Sequence, residues 1–287
     1  MKVALALPAG MPGVSGPLVI EWARKIDAGP FSSIAVIDRL AYPNWEPLVA
    51  LSAAAAVTQN VRLMTTLVIG PLRDTVLLAK QAASLDVLSG GRLSLGLGVG
   101  RREDDFLAAN REMPRRGRWF EGQLEIMRRV WSGQGPVEGV GPVGPEPVQT
   151  GGPEILIGGS ATAALRRAGR LGDGYLGSGD PATAAEQFKV VGEAWHKAGK
   201  TGEPRLLATS GIALGPDAAQ RGGDQVRHYN AIYGREAGDR AARGLLTSEE
   251  SIKDVLQRFQ DIGLDEIVFV PRVPDTELVD RLADIVA

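Results

Sequence analysis

The stretch Arg92–Phe106, "RLSLGLGVGRREDDF", carries an apolar alternation through three glycines into a charged helix start. Two readings compete for it, and they lead to different folds. A dinucleotide-binding turn needs G-x-G-x-x-G after the first strand of a βαβ unit, with an acidic residue about 20 positions further on. Here Gly96, Gly98 and Gly100 are spaced G-x-G-x-G, and Arg101 stands where the third glycine belongs. The run is the fourth strand-like segment of the chain, and the region around Phe120 and Glu121 reads as helix. The dinucleotide reading fails on spacing, position and partner. What remains is a strand whose glycines admit a close neighbour. That neighbour is either a packed side chain within the sheet or a ligand at the Gly98–Gly100 end. The ligand is preferred, because in the fold inferred next that end is the functional face.

Outward from this strand, short apolar runs alternate with helical periods along the whole chain. Strands are expected at Val3–Pro8, Ile34–Ile37, Arg62–Ile69, Arg92–Val99, Glu154–Ile157, Tyr175–Leu176, Arg205–Leu214 and Ile267–Val270. Helices are expected at Leu18–Ala28, Pro47–Thr58, Asp74–Leu88, Trp119–Trp131, Ala161–Leu171, Pro181–Ala198, Ser248–Ile262 and Asp275–Val286. A polar helical region also follows the seventh strand to about Gly234. Gly133–Pro153 is rich in Gly and Pro and suits an excursion or hairpin. Eight strand–helix units predict an α/β fold, a single (β/α)8 TIM barrel over residues 1–287. It has an excursion after helix four and a variable segment after strand seven.

Composition narrows the function. With 287 residues, a net charge of −2 and 44% hydrophobic residues, the chain supports a large core and gives no electrostatic reason to bind nucleic acid or an anionic membrane. The sequence has no cysteine, so disulfides, thiolate metal sites and cysteine nucleophiles are excluded together, and no metal centre is expected. The start "MKVALALPAG" stops at Pro8, too early for a signal peptide, and no run is long enough to span a membrane. A cytoplasmic protein is expected.

A second glycine motif, Gly158-Gly159-Ser160, lies between the fifth strand and its helix. Backbone N–H groups at a helix start, with Ser160 as the cap, would form an anion site, or simply a tight turn.

At this point the sequence resembles a known family. "LLAKQAASLDVLSGGRLSLGLGVGRREDDF" and "ILIGGSATAALRRAGRLGDGY" are similar to segments of bacterial luciferase-like monooxygenases. So are "VIDRLAYPNWEPLVALSAAAAVTQNVRLMTTLVI" and "LQRFQDIGLDEIVFVP". The resemblance runs from Phe31 to about Pro271. It implies a barrel that binds either FMN or the deazaflavin coenzyme F420 and performs flavin-type redox chemistry on a small-molecule substrate. The deazaflavin version is hydride transfer. The FMN version uses O2 and reduced flavin, with a flavin reductase as partner. A non-catalytic flavin-binding barrel is the third alternative, and a homodimer is a further implication.

The same resemblance suggests site residues. Cofactor-binding candidates are Asp38, Thr66, Leu67, Gly98, Val99, Gly100, Arg101, Gly158, Gly159, Ser160 and Ala161, with a non-prolyl cis bond implied at Thr66–Leu67. Arg39 stands where dehydrogenases of the family carry a catalytic histidine, so alcohol oxidation of that type is not implied. Asp38 and His228 are the catalytic candidates, Tyr42, Trp45 and Tyr229 the substrate-pocket candidates, and His196 is expected at the surface. Arg101 and Arg102 could meet a cofactor phosphate or acidic tail, or else pair locally with Glu103, Asp104 and Asp105.

Overall fold

In a computed structural model, which describes residues 1–287, nine parallel strands alternate with helices from one end of the chain to the other. The strands are β1 (Lys2–Ala6), β2 (Ser33–Val36), β3 (Arg62–Thr65), β4 (Val68–Ile69), β5 (Leu93–Gly98), β6 (Glu154–Gly158), β7 (Gly174–Ser178), β8 (Arg205–Ile212) and β9 (Glu266–Pro271). The helices are α1 (Gly16–Ala28), α2 (Pro47–Ala55), α3 (Thr75–Leu88), α4 (Glu103–Ala108), α5 (Arg116–Trp131), α6 (Thr162–Leu171), α7 (Pro181–Lys197), α8 (Ala218–Asn230), α9 (Arg235–Arg243), α10 (Glu249–Asp261) and α11 (Glu277–Val286). The strands pair in the order β3-β2-β1-β9-β8-β7-β6-β5-β4, and β3 also pairs with β5, which closes the sheet. Because β3 and β4 share one stave, the result is the eight-staved barrel expected from the sequence.

That shared stave departs from the expectation of one continuous strand over Arg62–Ile69. Met64 lies opposite Ser94, but Val68 lies opposite Leu97, so four steps on one strand match three on its neighbour. The extra residue is a β-bulge at Thr66–Leu67, and the peptide bond there is cis.

Other differences fall in the loops. The charged helix start after Gly100 becomes a short helix of its own, α4, separate from α5. The polar region after β8 resolves into two helices, α8 and α9. Its far end is tied back to its root by an Ile212–Leu246 bridge, with Ala213 N–H donating to Leu246 and Leu246 N–H to Gly211. Gly133–Pro153 forms no hairpin. Its end is held by Asp86, which accepts from the backbone of Val148 and Gln149 at 2.8 and 3.0 Å.

Local chemistry sets the helix starts. Ser15, Glu46, Asp74, Asp180 and Ser248 each accept a backbone N–H from the first turn of the helix they precede. Ser248 and Ser251 complete a reciprocal capping box on α10.

Two apolar layers result. One lies between strands and helices and includes the fully buried Trp22, whose indole N–H donates to Pro274. The other fills the barrel lumen with Ala4, Ala6, Ala35, Met64, Leu156, Leu176, Leu207, Val268 and Val270.

The N-terminal rim of the barrel is closed by an ionic belt. Glu266 is completely buried and accepts from the hydroxyls of Ser32 and Ser33 at 2.5 and 2.6 Å, while its other oxygen pairs with Arg205. Arg205 also binds Glu154 at 2.5 Å, Glu154 accepts from Ser94 at 2.6 Å, and Arg62 donates to Ser94 at 3.0 Å. Six residues on β2, β3, β5, β6, β8 and β9 are linked in this way. Removing Glu266 leaves Arg205 with Glu154 alone and the Ser33 hydroxyl without its acceptor, a loss of about 1–3 kcal/mol. We expect Glu266→Ala to lose stability of that order in denaturant unfolding followed by circular dichroism.

Candidate functional site

At the C-terminal ends of the strands the lumen is capped by two side chains, Leu67 from the bulge and Ile37 after β2, both packed on the luminal cluster. Leu67 occupies the space that side chains on β5 and β6 would otherwise take. A Cβ on Gly98 would lie 3.2 Å from Leu67, and one on Gly158 would collide with it outright. The glycines of the Arg92–Phe106 stretch therefore make room first for a packed neighbour within the barrel. This is the reading that sequence analysis ranked second for Gly98. Val99 and Gly100 lie beyond it, half-exposed at the mouth, and Arg116 donates to the Gly100 carbonyl at 3.1 Å.

Asp38 stands beside this floor, nearly buried. One carboxylate oxygen, Oδ2, accepts from the Ile69 N–H at 2.9 Å and from Arg73 at 3.0 Å, and Arg73 also binds Glu46 at 2.6 Å. Asp38 thus ties the end of β2 to the strand beyond the bulge, and its ion-pair partner is Arg73 rather than Arg39. Burial raises its pKa above the ordinary 3.8, against the opposing pull of Arg73 and the Ile69 hydrogen bond. The Thr66 hydroxyl, at the bulge itself, is buried without a partner.

Arg39 is also buried. Its Nε donates to Asp105 at 2.7 Å and Nη2 donates to Asp104 at 3.0 Å. Asp105 further accepts from the N–H groups of Leu40 and Ala41, at 2.9 and 2.7 Å. Helix α4 therefore supplies the carboxylate that shapes the loop after β2. This loop presents Tyr42, which meets Tyr229 of α8 edge-on at 5.3 Å. Two of the three expected pocket residues are thus brought together. Trp45 is packed elsewhere, with its indole N–H donating to Val14 at 3.0 Å and its ring against Gly16. His228 is exposed, 6.3 Å from the Tyr42 ring, and His196 is a surface residue bound to Glu203. Arg102 donates to the Tyr229 carbonyl at 3.0 Å and lies 3.7 Å from Asp104, so the local pairing prevails for it, whereas Arg101 rests on the ring of Tyr233 at 4.5 Å.

The β6–α6 turn corrects one expectation. Ser160 does not cap α6: the cap position is Ala161, and no side chain bonds the first turn. Gly159, Ser160 and Ala161 are all exposed at the mouth. Beneath them the Tyr175 hydroxyl contacts the Gly159 carbonyl at 3.0 Å and Gln187 at 2.9 Å, and burial pushes its pKa up to about 12. Arg73, Asp105, Gln187 and Arg272 escaped sequence reasoning, because each acts through a partner far away in the chain. Only Asp105, embedded in "REDDF", carried a local hint.

The Asp38 geometry has a measurable consequence. A carboxyl group whose folded pKa exceeds its unfolded value favours folding below pH 3.8 and loses that advantage as pH rises through the folded pKa. Asn cannot ionise. We therefore expect the unfolding free energy of Asp38→Asn, relative to the parent chain, to rise with pH between 3.8 and neutrality, as read from denaturant curves at successive pH values.

Comparison with known proteins agrees with this architecture. A family model described as luciferase-like monooxygenase matches residues 6–282. The uncharacterized protein Rv0953c of Mycobacterium tuberculosis is 33% identical over 171 residues, a match that covers 57% of this chain and 60% of that protein's length. Among solved structures, an F420-dependent secondary alcohol dehydrogenase in complex with an F420-acetone adduct superposes with a TM-score of 0.82 at 16% identity, over 99% of this chain and 98% of the other. The oxygenating constituent of 3,6-diketocamphane monooxygenase from Pseudomonas putida, in complex with FMN, gives 0.77 at 16%, over 100% and 98%. At these identities the structural likeness is one of fold. The family model, however, covers nearly the whole sequence, and the chain belongs to the luciferase-like monooxygenase family.

Proposed function

We propose that this protein is an oxidoreductase that holds the deazaflavin coenzyme F420 over the Leu67–Ile37 floor and exchanges hydride between the coenzyme and a small organic substrate. The observation that carries the reading is the floor itself. Two apolar side chains close the lumen, and the buried Thr66 hydroxyl beside them lacks a partner. A flat heterocycle with a polar edge fits both features, since its face covers the apolar pair and its edge satisfies the hydroxyl. When bound, such a coenzyme supplies the hydride chemistry, and the chain supplies position and a dry surface.

Named residues divide that work. Leu67 and Ile37 exclude water from the luminal side. Asp38 fixes the bulge through Ile69 and Arg73, and its Oδ1 carries no hydrogen bond. Val99, Gly100 and Arg101 on one side, and Gly159, Ser160 and Ala161 on the other, form the walls of the coenzyme groove. Tyr42 and Tyr229 bound the substrate side. Arg101 is exposed, as are Arg111 and Arg115 a little further along the chain, and together these side chains would give a cationic rim suited to an acidic coenzyme tail. This rim is what favours F420 over FMN in our reading. The F420-dependent and FMN-bound relatives by fold keep both coenzymes within the family's range.

The test is a parallel fluorescence titration of the purified protein with F420 and with oxidised and reduced FMN. F420 is expected to bind, and binding of reduced FMN alone would overturn the reading in favour of an oxygenase. Gly158→Ala drives a methyl group into Leu67. We expect it to cost about 1–3 kcal/mol of stability through overpacking and to weaken F420 binding in the same titration.

A further inference from the structure

Three guanidinium groups converge on the ring of Tyr229: those of Arg39, Arg102 and Arg272, with Cζ at 5.7, 5.3 and 5.6 Å from its centroid. They are not equally compensated. Arg39 is held by Asp104 and Asp105, and Arg102 lies near Asp104. Arg272, which directly follows β9, has no carboxylate partner. Its one side-chain hydrogen bond is a long one to Gln225 Oε1 at 3.5 Å, and its Nε is buried with no partner. Burial holds its pKa below the ordinary arginine range. An arginine removed from water without a counter-charge costs several kcal/mol unless something supplies one.

The surrounding orphaned atoms share a sign. Arg39 Nη1, Arg102 Nε, Arg272 Nε, Gln225 Nε2 and the Tyr42 hydroxyl are all buried without a hydrogen bond, Arg102 Nε alone having a carboxylate within 4 Å, Asp104 at 3.7 Å. Four of these five can only donate a hydrogen bond, and the fifth can do so. The Gln225 amide is oriented by its oxygen accepting from Arg272, which leaves its NH2 as the free group. A cluster of unpaired donors around an uncompensated cation is complementary to an anionic oxygen ligand. Arg272 Nη2 also makes no hydrogen bond, so both N–H groups of the Nε–Nη2 edge are unpaired, and an edge of that geometry matches a planar carboxylate bidentately. The rings of Tyr42 and Tyr229 lie against this group of guanidiniums, Tyr42 on Arg39 at 5.4 Å and Tyr229 on Arg272 at 5.6 Å. Arg272 lines a small pocket with Ile37, one of the two floor residues, so the cluster adjoins the surface described above.

We infer that the substrate of this chain carries a carboxylate group, received by the Nε–Nη2 edge of Arg272, with the Tyr42 hydroxyl and the Gln225 amide as further donors. This rests on the reading that the barrel mouth is a substrate site. The competing role for Arg272 is purely structural, a cation stacked on Tyr229.

The two roles separate in experiments on the full chain without coenzyme. Calorimetric titration and thermal unfolding would be run with sodium benzoate and sodium butyrate, and with benzyl alcohol and butanol as uncharged controls, at matched ionic strength. Both carboxylates are expected to bind and raise Tm, and the alcohols to do neither. Arg272→Met should bind benzoate at least tenfold more weakly while its Tm without ligand is unchanged or higher, because a desolvated cation has been replaced by an apolar chain. Tyr42→Phe deletes one hydroxyl and keeps the ring, and a loss of benzoate affinity of about threefold is expected from the missing hydrogen bond. Four results would each overturn the inference: neither carboxylate binding, equal response to acids and alcohols, benzoate affinity unaltered in both variants, or a lower Tm for Arg272→Met with benzoate binding retained. F420 titration of the same preparations keeps the two readings apart. Carboxylate binding without F420 binding sinks only the coenzyme assignment, and the reverse sinks only this inference.

Discussion

One extra residue in the third stave governs how this barrel ends. β3 and β4 pair with the same neighbour, but between them four residues match three, and the surplus turns Leu67 into the lumen. Everything adjacent follows from accommodating that side chain. Gly98 and Gly158 have no Cβ where Leu67 lies, Gly96 has none where the Thr65 carbonyl passes, and the luminal positions on β1 and β2 are alanines. Asp38 bonds the N–H of Ile69, immediately after the bulge, and so fixes its exit. The mouth acquires a solid apolar base instead of a funnel into the core.

The two ends of the barrel handle charge in opposite ways. At the N-terminal rim each carboxylate has its cation: Glu154 and Glu266 share Arg205, the hydroxyls of Ser32 and Ser33 take the other oxygen of Glu266, and Ser94 joins Arg205 on the same oxygen of Glu154. At the mouth the matching is incomplete, with guanidinium nitrogens of Arg39, Arg102 and Arg272 left over. Complete networks rigidify a fold, whereas incomplete ones are tolerated where a ligand completes them. Asp105 belongs to both kinds. It satisfies Arg39 and two backbone donors, and so orders the loop that brings Tyr42 to Tyr229.

The sequence disclosed the barrel because its signals are local. Eight apolar runs such as "ALAL" and "LSLGLG" alternate with eight helical periods in the order a (β/α)8 barrel requires. Asp38, Thr66 and Leu67 were legible through motif likeness, and the structure brings them together at the floor. The remainder was hidden for physical reasons. The bulge changes register without changing composition. α4 is held by one buried carboxylate, Asp105, and one buried ring, Phe106, too few apolar positions to set a helical period. Ser160 has the right chemistry for a cap but lies one position too early, so Ala161 occupies the cap site. Arg272 resembles any surface arginine until burial and the distance to a carboxylate are known.

The segment carrying Tyr229 is fastened at its base. Ile212 and Leu246 bridge, and the paired hydrogen bonds beside them close a loop that contains all of α8 and α9. Whatever lies between those two residues contributes nothing to the pairing of β8 with β9, which is complete by Pro271 on its own account. Loop entropy grows only slowly with length once the ends are fixed, so this segment is an exchangeable cassette. Its root, Ala213, Leu214 and Ala218, belongs to the core, but a change of length in the exposed part beyond would leave the register of the barrel strands untouched.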